Sequence, residues 1–451
     1  MKRWVSVVLL LGVGACSSHS SSPFTESVSV QRIRADVEWL ADDTREGRFP
    51  GTPGSQASSD YLARRFAELR LERAPGMESY FQTFEFPRKT IGHVPRPTTF
   101  PTSLPDSVRY TTSIAPTIRD RNVIGVLPGT GPLETEYIVV GAHYDHIGRG
   151  LFQDQNVKRG PIFNGADDNA SGTAAVLAVA EALSKRPLNR SVMFVFFSAE
   201  ELGLIGSQYF VQNPPVPLDR IVAMINLDMV GRTRQNTLFV SGRGTRPDFQ
   251  TILEQLDQQS PLELKSIGDG GLGPSDHQSF ALKKIPVLFF FTGLHPQYHH
   301  PDDDADRINY DGMEHIVRLV TRLVQRIDSA PRQPYVDQFD STTIRLVDPS
   351  NPSERPSTGH GAFLGVIPDY GSDLSQDGVL LAGTVPGSPA QTSGLTNGDR
   401  LVAWNDKPIT NLYDLTDFLR QSRPGEEIKI DFLREGKRLS VRVKLDSRNP
   451  K

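Results

Sequence analysis

The sequence contains a single cysteine, Cys16, which excludes an intrachain disulfide framework and leaves the fold to be held by packing alone. It has no long run of lysine and arginine, and its net charge is -4, so it lacks the basic footprint that a phosphate backbone requires. Nucleic acid is excluded as an expected partner. The apolar stretch Trp4–Val13 is too short to span a bilayer in a mature protein. There is no internal repeat, and no low-complexity tract beyond a short serine-rich segment near the N-terminus. What remains, in 451 residues of ordinary apolar and charged content, is room for a large catalytic-sized core and one small domain.

Lys2 and Arg3 ahead of Trp4–Val13, with the small residues Gly14 and Ala15 following, read as an export signal. Val13-Gly14-Ala15-Cys16 resembles the lipobox of bacterial lipoproteins, in which the cysteine is acylated and becomes the new N-terminus. This predicts a signal peptide over 1–15, lipidation of Cys16 and a polar tether over 16–30. The expected location is the cell envelope, with Ser17 favouring an outer membrane and a chain facing the periplasm. The membrane is then a partner through the lipid anchor.

Helical spacing follows between Gln31 and Leu71, in Ile33, Val37 and Leu40 and again in Leu62, Phe66 and Leu69, broken by a Gly/Pro turn over Gly47–Gly54. Between Phe84 and Arg121 prolines are dense and periodicity is weak, which predicts irregular strands and loops. Beyond that, continuous apolar runs end in polar residues. Tyr137–Ala142 runs into His143, Val192–Phe197 ends near Glu200, Ile221–Leu227 ends at Asp228, and Val287–Phe291 precedes His299. Such runs joined by helices predict an α/β fold with a mostly parallel mixed sheet covered by helices on both faces, its site at the carboxyl ends of the strands. A helix from about Gly312 to Ile327 closes this unit, giving a catalytic domain over 31–330. Proline-rich and polar residues over 331–359 read as a linker. Short strands, glycine turns and a helix near Leu412–Leu419 then predict a second domain over 360–447, of a size that folds alone.

Five segments carry candidate chemistry: His143-Tyr144-Asp145, Asp167-Asp168-Asn169, Glu200-Glu201, Asn226-Leu227-Asp228 and Tyr298-His299-His300-Pro301. Together they supply nitrogen and oxygen donors suited to a pair of zinc ions with a shared carboxylate. On an extended segment Glu200 and Glu201 point to opposite sides, so that one can bind metal and the other face the attacking water. Two ions about 3.5 to 4 Å apart polarise a scissile carbonyl, and a neighbouring carboxylate moves the proton to the leaving amine.

These motifs, with Gly165-Ala166-Asp167-Asp168-Asn169-Ala170-Ser171-Gly172 and Ser198-Ala199-Glu200-Glu201-Leu202-Gly203 the most specific, resemble the co-catalytic zinc aminopeptidases of metallopeptidase family 28, which also contains glutamate carboxypeptidase II and glutaminyl cyclase. The resemblance spans roughly Arg32 to Ile327. It implies two Zn2+, with His143 and Asp228 on one, Glu201 and His299 on the other, and Asp168 bridging. It makes Glu200 the general base, places Asp145 behind His143 as its orienting partner, and gives Tyr298 the oxyanion. It also implies a cis peptide bond between Asp168 and Asn169. His146, His295 and His300 are expected as loop histidines, and Asp276 and His277, in Gly270–His277, as structural or pocket-lining residues.

Ala362-Phe363-Leu364-Gly365-Val366 is similar to the carboxylate-binding loop of PDZ domains, and Gly387-Ser388-Pro389-Ala390 with Gly394-Leu395-Thr396-Asn397-Gly398-Asp399 resembles the subgroup found in exported bacterial proteases. This implies a PDZ domain of strands and two helices. A peptide C-terminus would add as a strand, its carboxylate held at Phe363, Leu364, Gly365 and Val366. The competing implication is a PDZ fold that only packs on the peptidase.

The leading expectation is a di-zinc exopeptidase removing N-terminal residues from peptides. Cyclases of this fold keep a single zinc, whereas all five ligand positions are filled here. A carboxypeptidase or dipeptidase would need basic pocket residues, for which Arg232 and Arg243 are candidates. A non-catalytic peptide-binding lipoprotein working through the PDZ module is the alternative of another class, and has no need of Glu200.

Overall fold

The computed structural model describes residues 28–87, 117–149, 161–336 apart from a few single positions, 362–368 and 378–447 with short interruptions. The signal peptide, Cys16, the tether up to residue 27 and most of the linker lie outside the described residues.

A nine-stranded sheet forms the first unit. Its strands are β1 (Glu72–Arg73), β2 (Phe81–Pro87), β3 (Thr117–Leu127), β4 (Tyr137–His143), β5 (Ser191–Phe197), β6 (Ile221–Leu227), β7 (Thr237–Ser241), β8 (Glu263–Gly268) and β9 (Val287–Phe291). They run in the order β1-β3-β5-β4-β6-β9-β7-β8, with β2 against β3. The centre, β5-β4-β6-β9, is parallel, and its strands are the continuous apolar runs, buried on both faces as such strands must be. Antiparallel pairings join it to the edges, at β3 on one side and β7 on the other. The sheet is mixed.

One face is covered by α1 (Val30–Leu40), the start of a helical pair with α2 (Pro53–Glu68), and by α3 (Gly172–Leu183) and the closing helix. The other carries α4 (Ile205–Gln212), whose Phe210 packs on Phe197 of β5, and α6 (His277–Ala281) with Phe280, while α5 (Phe249–Asp257) joins the first face beside the closing helix. The closing helix α7 spans Tyr310–Ser329, slightly longer than its apolar stripe predicts, because the Asn309 side chain caps it by accepting from Gly312 N. Among the described residues, no helix is long and apolar enough to cross a membrane.

The proline-dense region before Arg121 is more regular than its sequence suggests. β2 and β3 pair in register from Phe81↔Val123 to Pro87↔Thr117, and prolines gather in 88–116, outside the described residues. Thr117, Arg119 and Arg121 take the outward positions in the first half of β3, and Asp120 is buried between them, which hides this half of the strand from an apolar-run search.

The second unit contains β10 (Ala362–Phe363) paired with β17 (Asp446–Ser447), and a six-stranded antiparallel sheet of β11 (Val366–Pro368), β12 (Val379–Thr384), β13 (Arg400–Trp404), β14 (Lys407–Pro408), β15 (Glu427–Arg434) and β16 (Lys437–Lys444). Its core gathers Leu364, Leu381, Leu395, Leu401, Trp404, Ile428 and Ile430. A short helix, α8 (Pro389–Thr392), is capped by Ser388. Gly365 has φ +79°, and a Cβ there would lie 2.2 Å from the Ser388 Cβ, so only glycine fits this loop. Of the helix expected near Leu412–Leu419, the described positions Asp414, Leu415, Phe418 and Leu419 are helical.

Candidate metal centre

The parallel strands of the centre end together, and the residues just past their ends converge. His143 ends β4; its carbonyl accepts from Thr173 Oγ1 at 2.8 Å, which fixes the strand end against α3. Asp228 follows β6 and accepts at Oδ2 from Ser275 Oγ at 2.7 Å, leaving Oδ1 at 3.3 Å from His143 Nε2. Asp168 lies in the turn Ala166–Ser171 that leads into α3, and its peptide bond to Asn169 is cis. Asp168 Oδ1 is 3.3 Å from His143 Nε2 and Asp168 Oδ2 is 3.0 Å from His299 Nε2. Glu201 Oε2 completes the second cluster, 3.1 Å from His299 Nε2. Three of these strand exits turn through left-handed backbone: Ala199 (φ 60°), Met229 (φ 52°) and His299 (φ 52°).

Two groups of donors able to hold a metal ion result: His143, Asp168 and Asp228; and His146, Asp168, Glu201 and His299. Within each group the donor atoms lie within 4.8 Å of one another. The donors fit zinc chemistry, being imidazole nitrogens and carboxylate oxygens on buried, pre-positioned side chains. His299 Nε2 sits between two carboxylate oxygens, one from Asp168 and one from Glu201, where a cation would draw all three donors together. The electrostatics point the same way. Burial works against the charged imidazoles, but Asp228 and Glu200 still hold His143 well above its usual range, and Glu201 with Asp168 brings His299 to about 10. Burial also opposes ionisation of Glu201, yet His299 and hydrogen bonds from His146 and His299 bring it down to about 2. The cluster is rich in negative charge that a cation would neutralise.

Glu200 is different. Its Oε2 is 4.0 Å from His143 Nε2, it belongs to neither donor group, and burial, then Glu201, Asp228 and Asp276, push it well above the carboxylate range despite His143. The two glutamates are not separated by strand alternation as their adjacency predicts. β5 ends at Phe197, and Glu200-Glu201 occupy a turn in which Glu200 O accepts from Gly203 N and Leu204 N. Ala199, in left-handed backbone, leads the chain into this turn.

Asp145 stands behind His143, with its carboxylate at ion-pair distance and its carbonyl closer. Its carboxylate is 3.7 Å from His143 Nδ1, beyond hydrogen-bond reach, and that ring nitrogen instead faces the Asp145 carbonyl at 3.2 Å. The carboxylate accepts from Glu200 N at 3.1 Å and Glu201 N at 3.4 Å. Tyr144 N extends the β4–β5 ladder to Phe197 O, so the Asp145 side chain is carried across to the tip of β5.

Around this centre, Tyr298 is partly exposed and stacks on His299 at 3.9 Å between ring centroids. Asp167 accepts from Gly231 N and Ser171 Oγ and faces His295 Nε2 at 3.1 Å, which makes His295 a buried residue of the supporting layer. His300 is exposed, as a loop histidine is expected to be. Arg232 donates through Nη2 to Gln297 Oε1 at 3.0 Å, while its Nη1, 4.0 Å from Asp303 Oδ1, is buried without a hydrogen-bond partner among the described residues; Arg243 has interactions of its own. Asp276 is fully buried near the cluster, and burial lifts it to about 7.

Two residues escaped the sequence reading. His146 is fully buried and its Nδ1 is 2.7 Å from Glu201 Oε1, where a solvated loop histidine was expected. Arg48, also fully buried, donates to the carbonyls of Leu40, Tyr144, Asn164 and Gly165. The signal for Arg48 was its position inside the glycine-rich turn over Gly47–Gly54; nothing about His146 distinguishes it from its neighbours.

Residues 122–324 match Peptidase family M28, and residues 363–445 match the PDZ domain. Aminopeptidase YwaD of Bacillus subtilis (strain 168) is 28% identical over 228 residues, 48% of this chain and 46% of that protein. The leupeptin-inactivating enzyme 1 of Streptomyces exfoliatus is 33% identical over 176 residues, 38% of this chain and 36% of that protein. The chain thus spans less than half the length of these curated relatives. Among solved structures, a zinc aminopeptidase from Bacillus subtilis superposes with a TM-score of 0.51 at 18% identity, over 69% of this chain and 98% of that one. At that identity the likeness concerns the fold.

Proposed function

We propose that this chain, which carries an M28 peptidase domain followed by a PDZ domain, is a di-zinc aminopeptidase that removes N-terminal residues from peptides. The observation that carries this reading is the pair of donor groups sharing Asp168, with Glu200 held beside them and outside both. His143, Asp168 and Asp228 would hold one ion, and Asp168, Glu201 and His299 the other. Bound zinc would supply Lewis acidity, polarising the scissile carbonyl and acidifying water.

The chain's own residues do the rest. Glu200 takes a proton from the attacking water and returns it to the departing amine as the C–N bond breaks. Asp145, through the amides of Glu200 and Glu201, fixes the base relative to its neighbour. Tyr298 presents a hydroxyl toward the developing oxyanion.

The PDZ loop Phe363-Leu364-Gly365-Val366 would take peptide or protein C-termini. Acylation of Cys16 would hold the enzyme on the envelope, at the outer membrane facing the periplasm.

Metal analysis combined with a panel of aminoacyl-arylamides, N-blocked peptides and glutaminyl peptides tests the reading. Two divalent ions per chain and hydrolysis confined to free N-termini are expected. Cleavage of blocked peptides from the C-terminus, or cyclisation of the glutaminyl substrate, would move the chain to another activity. Metal-free protein with no turnover would leave a binding lipoprotein.

A further inference from the structure

We propose that His146 is a positioning residue that holds Glu201 in the orientation needed for the second ion, an inference that rests on the di-metal reading above. Glu201 has two oxygens with different surroundings. Oε2 lies 3.1 Å from His299 Nε2, within the donor cluster, and Oε1 lies 2.7 Å from His146 Nδ1, a short distance typical of a charge-assisted hydrogen bond. His146 Nδ1 is farther from the other carboxylate of the group, 3.8 Å from Asp168 Oδ2. It addresses one oxygen of one glutamate rather than the centre of the cluster.

The ring's other nitrogen decides its role. His146 Nε2 is buried and has no hydrogen-bond partner among the described residues. If His146 gave its Nδ1 lone pair to a cation, the proton would reside on Nε2 as a buried donor without an acceptor. If Nδ1 carries the proton and donates it to Glu201 Oε1, Nε2 keeps only a bare lone pair. An orphaned N–H is the rarer and costlier of the two. The donating tautomer is therefore the favoured one, and His146 acts on the metal through Glu201.

The ring is also held where this requires. A Cβ on Gly165 would lie 2.5 Å from His146 Cγ and Cδ2, so the left-handed Gly165 (φ +56°) lets the turn carrying Asp168 close directly over the imidazole. One glycine thus brings the bridging aspartate and this histidine together.

The test is chelator competition on the full chain with zinc, and absorption spectra after cobalt substitution. His146→Ala should weaken one of the two ions about 10- to 100-fold and alter the other far less, through the shared Asp168 alone. His146→Asn, whose amide nitrogen falls near the place of Nδ1 and can donate, should recover most of that loss. In both variants the cobalt bands should keep the intensity of an unchanged coordination number. Equal zinc affinities in wild type and His146→Ala would overturn the proposal. So would an equal loss in the Ala and Asn variants, or cobalt bands reporting a lost nitrogen donor, which would make His146 a ligand. Circular dichroism of the metal-free variants reports folding, and should His146→Ala fail to fold, the Asn variant still reads both quantities. A wild-type chain that binds no ion would sink the di-metal reading and this inference together, whereas two ions bound equally by His146→Ala would sink this inference alone.

Discussion

Arg48 Nη2 donates to Gly165 O at 2.9 Å, and so ties a segment that precedes the matched domain to the turn bearing the bridging aspartate. The same guanidinium reaches Leu40 O and Asn164 O through Nη1 and Tyr144 O through Nε, joining the end of α1 to the loops on both sides of the donor cluster. Lysine cannot reproduce that fork. Arg48→Lys is expected to lower stability by on the order of 3 kcal/mol, since several buried carbonyls lose their donor. Denaturant unfolding measures it, and an unchanged midpoint would show that the clamp is dispensable. A fragment beginning at residue 122 should fail to bind metal for the same reason.

Glu200→Gln should keep two ions per chain while turnover falls by at least roughly 10² to 10⁴, the worth of proton transfer alone. Metal content and rate are read on the same sample. Loss of zinc, or near-normal turnover, would take the base assignment away from Glu200.

His143→Ala and Asp228→Ala each remove a donor and should lower zinc stoichiometry. Asp145→Asn should instead leave the stoichiometry intact and reduce kcat, because its carboxylate holds the backbone of Glu200 and Glu201 rather than the His143 ring. Effects of equal size on metal content from Asp145 and His143 substitutions would restore the direct histidine contact as the operative one.

His277 gives a pH signature. It is fully buried and stacked on Phe289 at 4.5 Å, and burial holds its pKa down at about 3. Protons then bind the unfolded chain first as pH falls. The stability that is complete above about pH 6.5 is lost on the way down to about 3, at up to about 1.4 kcal/mol per pH unit. Unfolding of the metal-free protein across that window should be less acid-sensitive in His277→Phe than in wild type. Parallel curves would mean that the imidazole finds a partner when charged.

Cys16→Ser should yield a chain that is soluble or unprocessed, whereas the wild type should partition with membranes and begin at acylated Cys16. Mass spectrometry of the mature N-terminus checks it; an unmodified start at another residue would remove the anchor.

The central strands were legible because strands buried on both faces must be apolar throughout, as in Ser191–Phe197 and Ile221–Leu227. Chemistry was legible where it sits at strand ends, in residues that have no packing reason to be His, Asp or Glu. Local geometry was not. Ala199 in a left-handed conformation bends Glu200-Glu201 out of the strand, and no residue preference announces an alanine there. The partner of Asp145 depends on which neighbouring strand tip its carboxylate reaches, and that is set by sheet order. His146 reads like any loop histidine until the fold buries it against a glutamate 55 positions away.

Asp168 belongs to both donor groups, offering Oδ1 to one side and Oδ2 to the other. A ligand held in common makes the two occupancies thermodynamically linked: filling either position changes the affinity of the other, and by the same factor in both directions. The first cation removes repulsion among the carboxylates and orients Asp168, but it also withdraws charge from the oxygen left for the second. Zinc titration should therefore depart from two independent sites, and the sign of the departure reports whether orientation or charge withdrawal dominates at this aspartate.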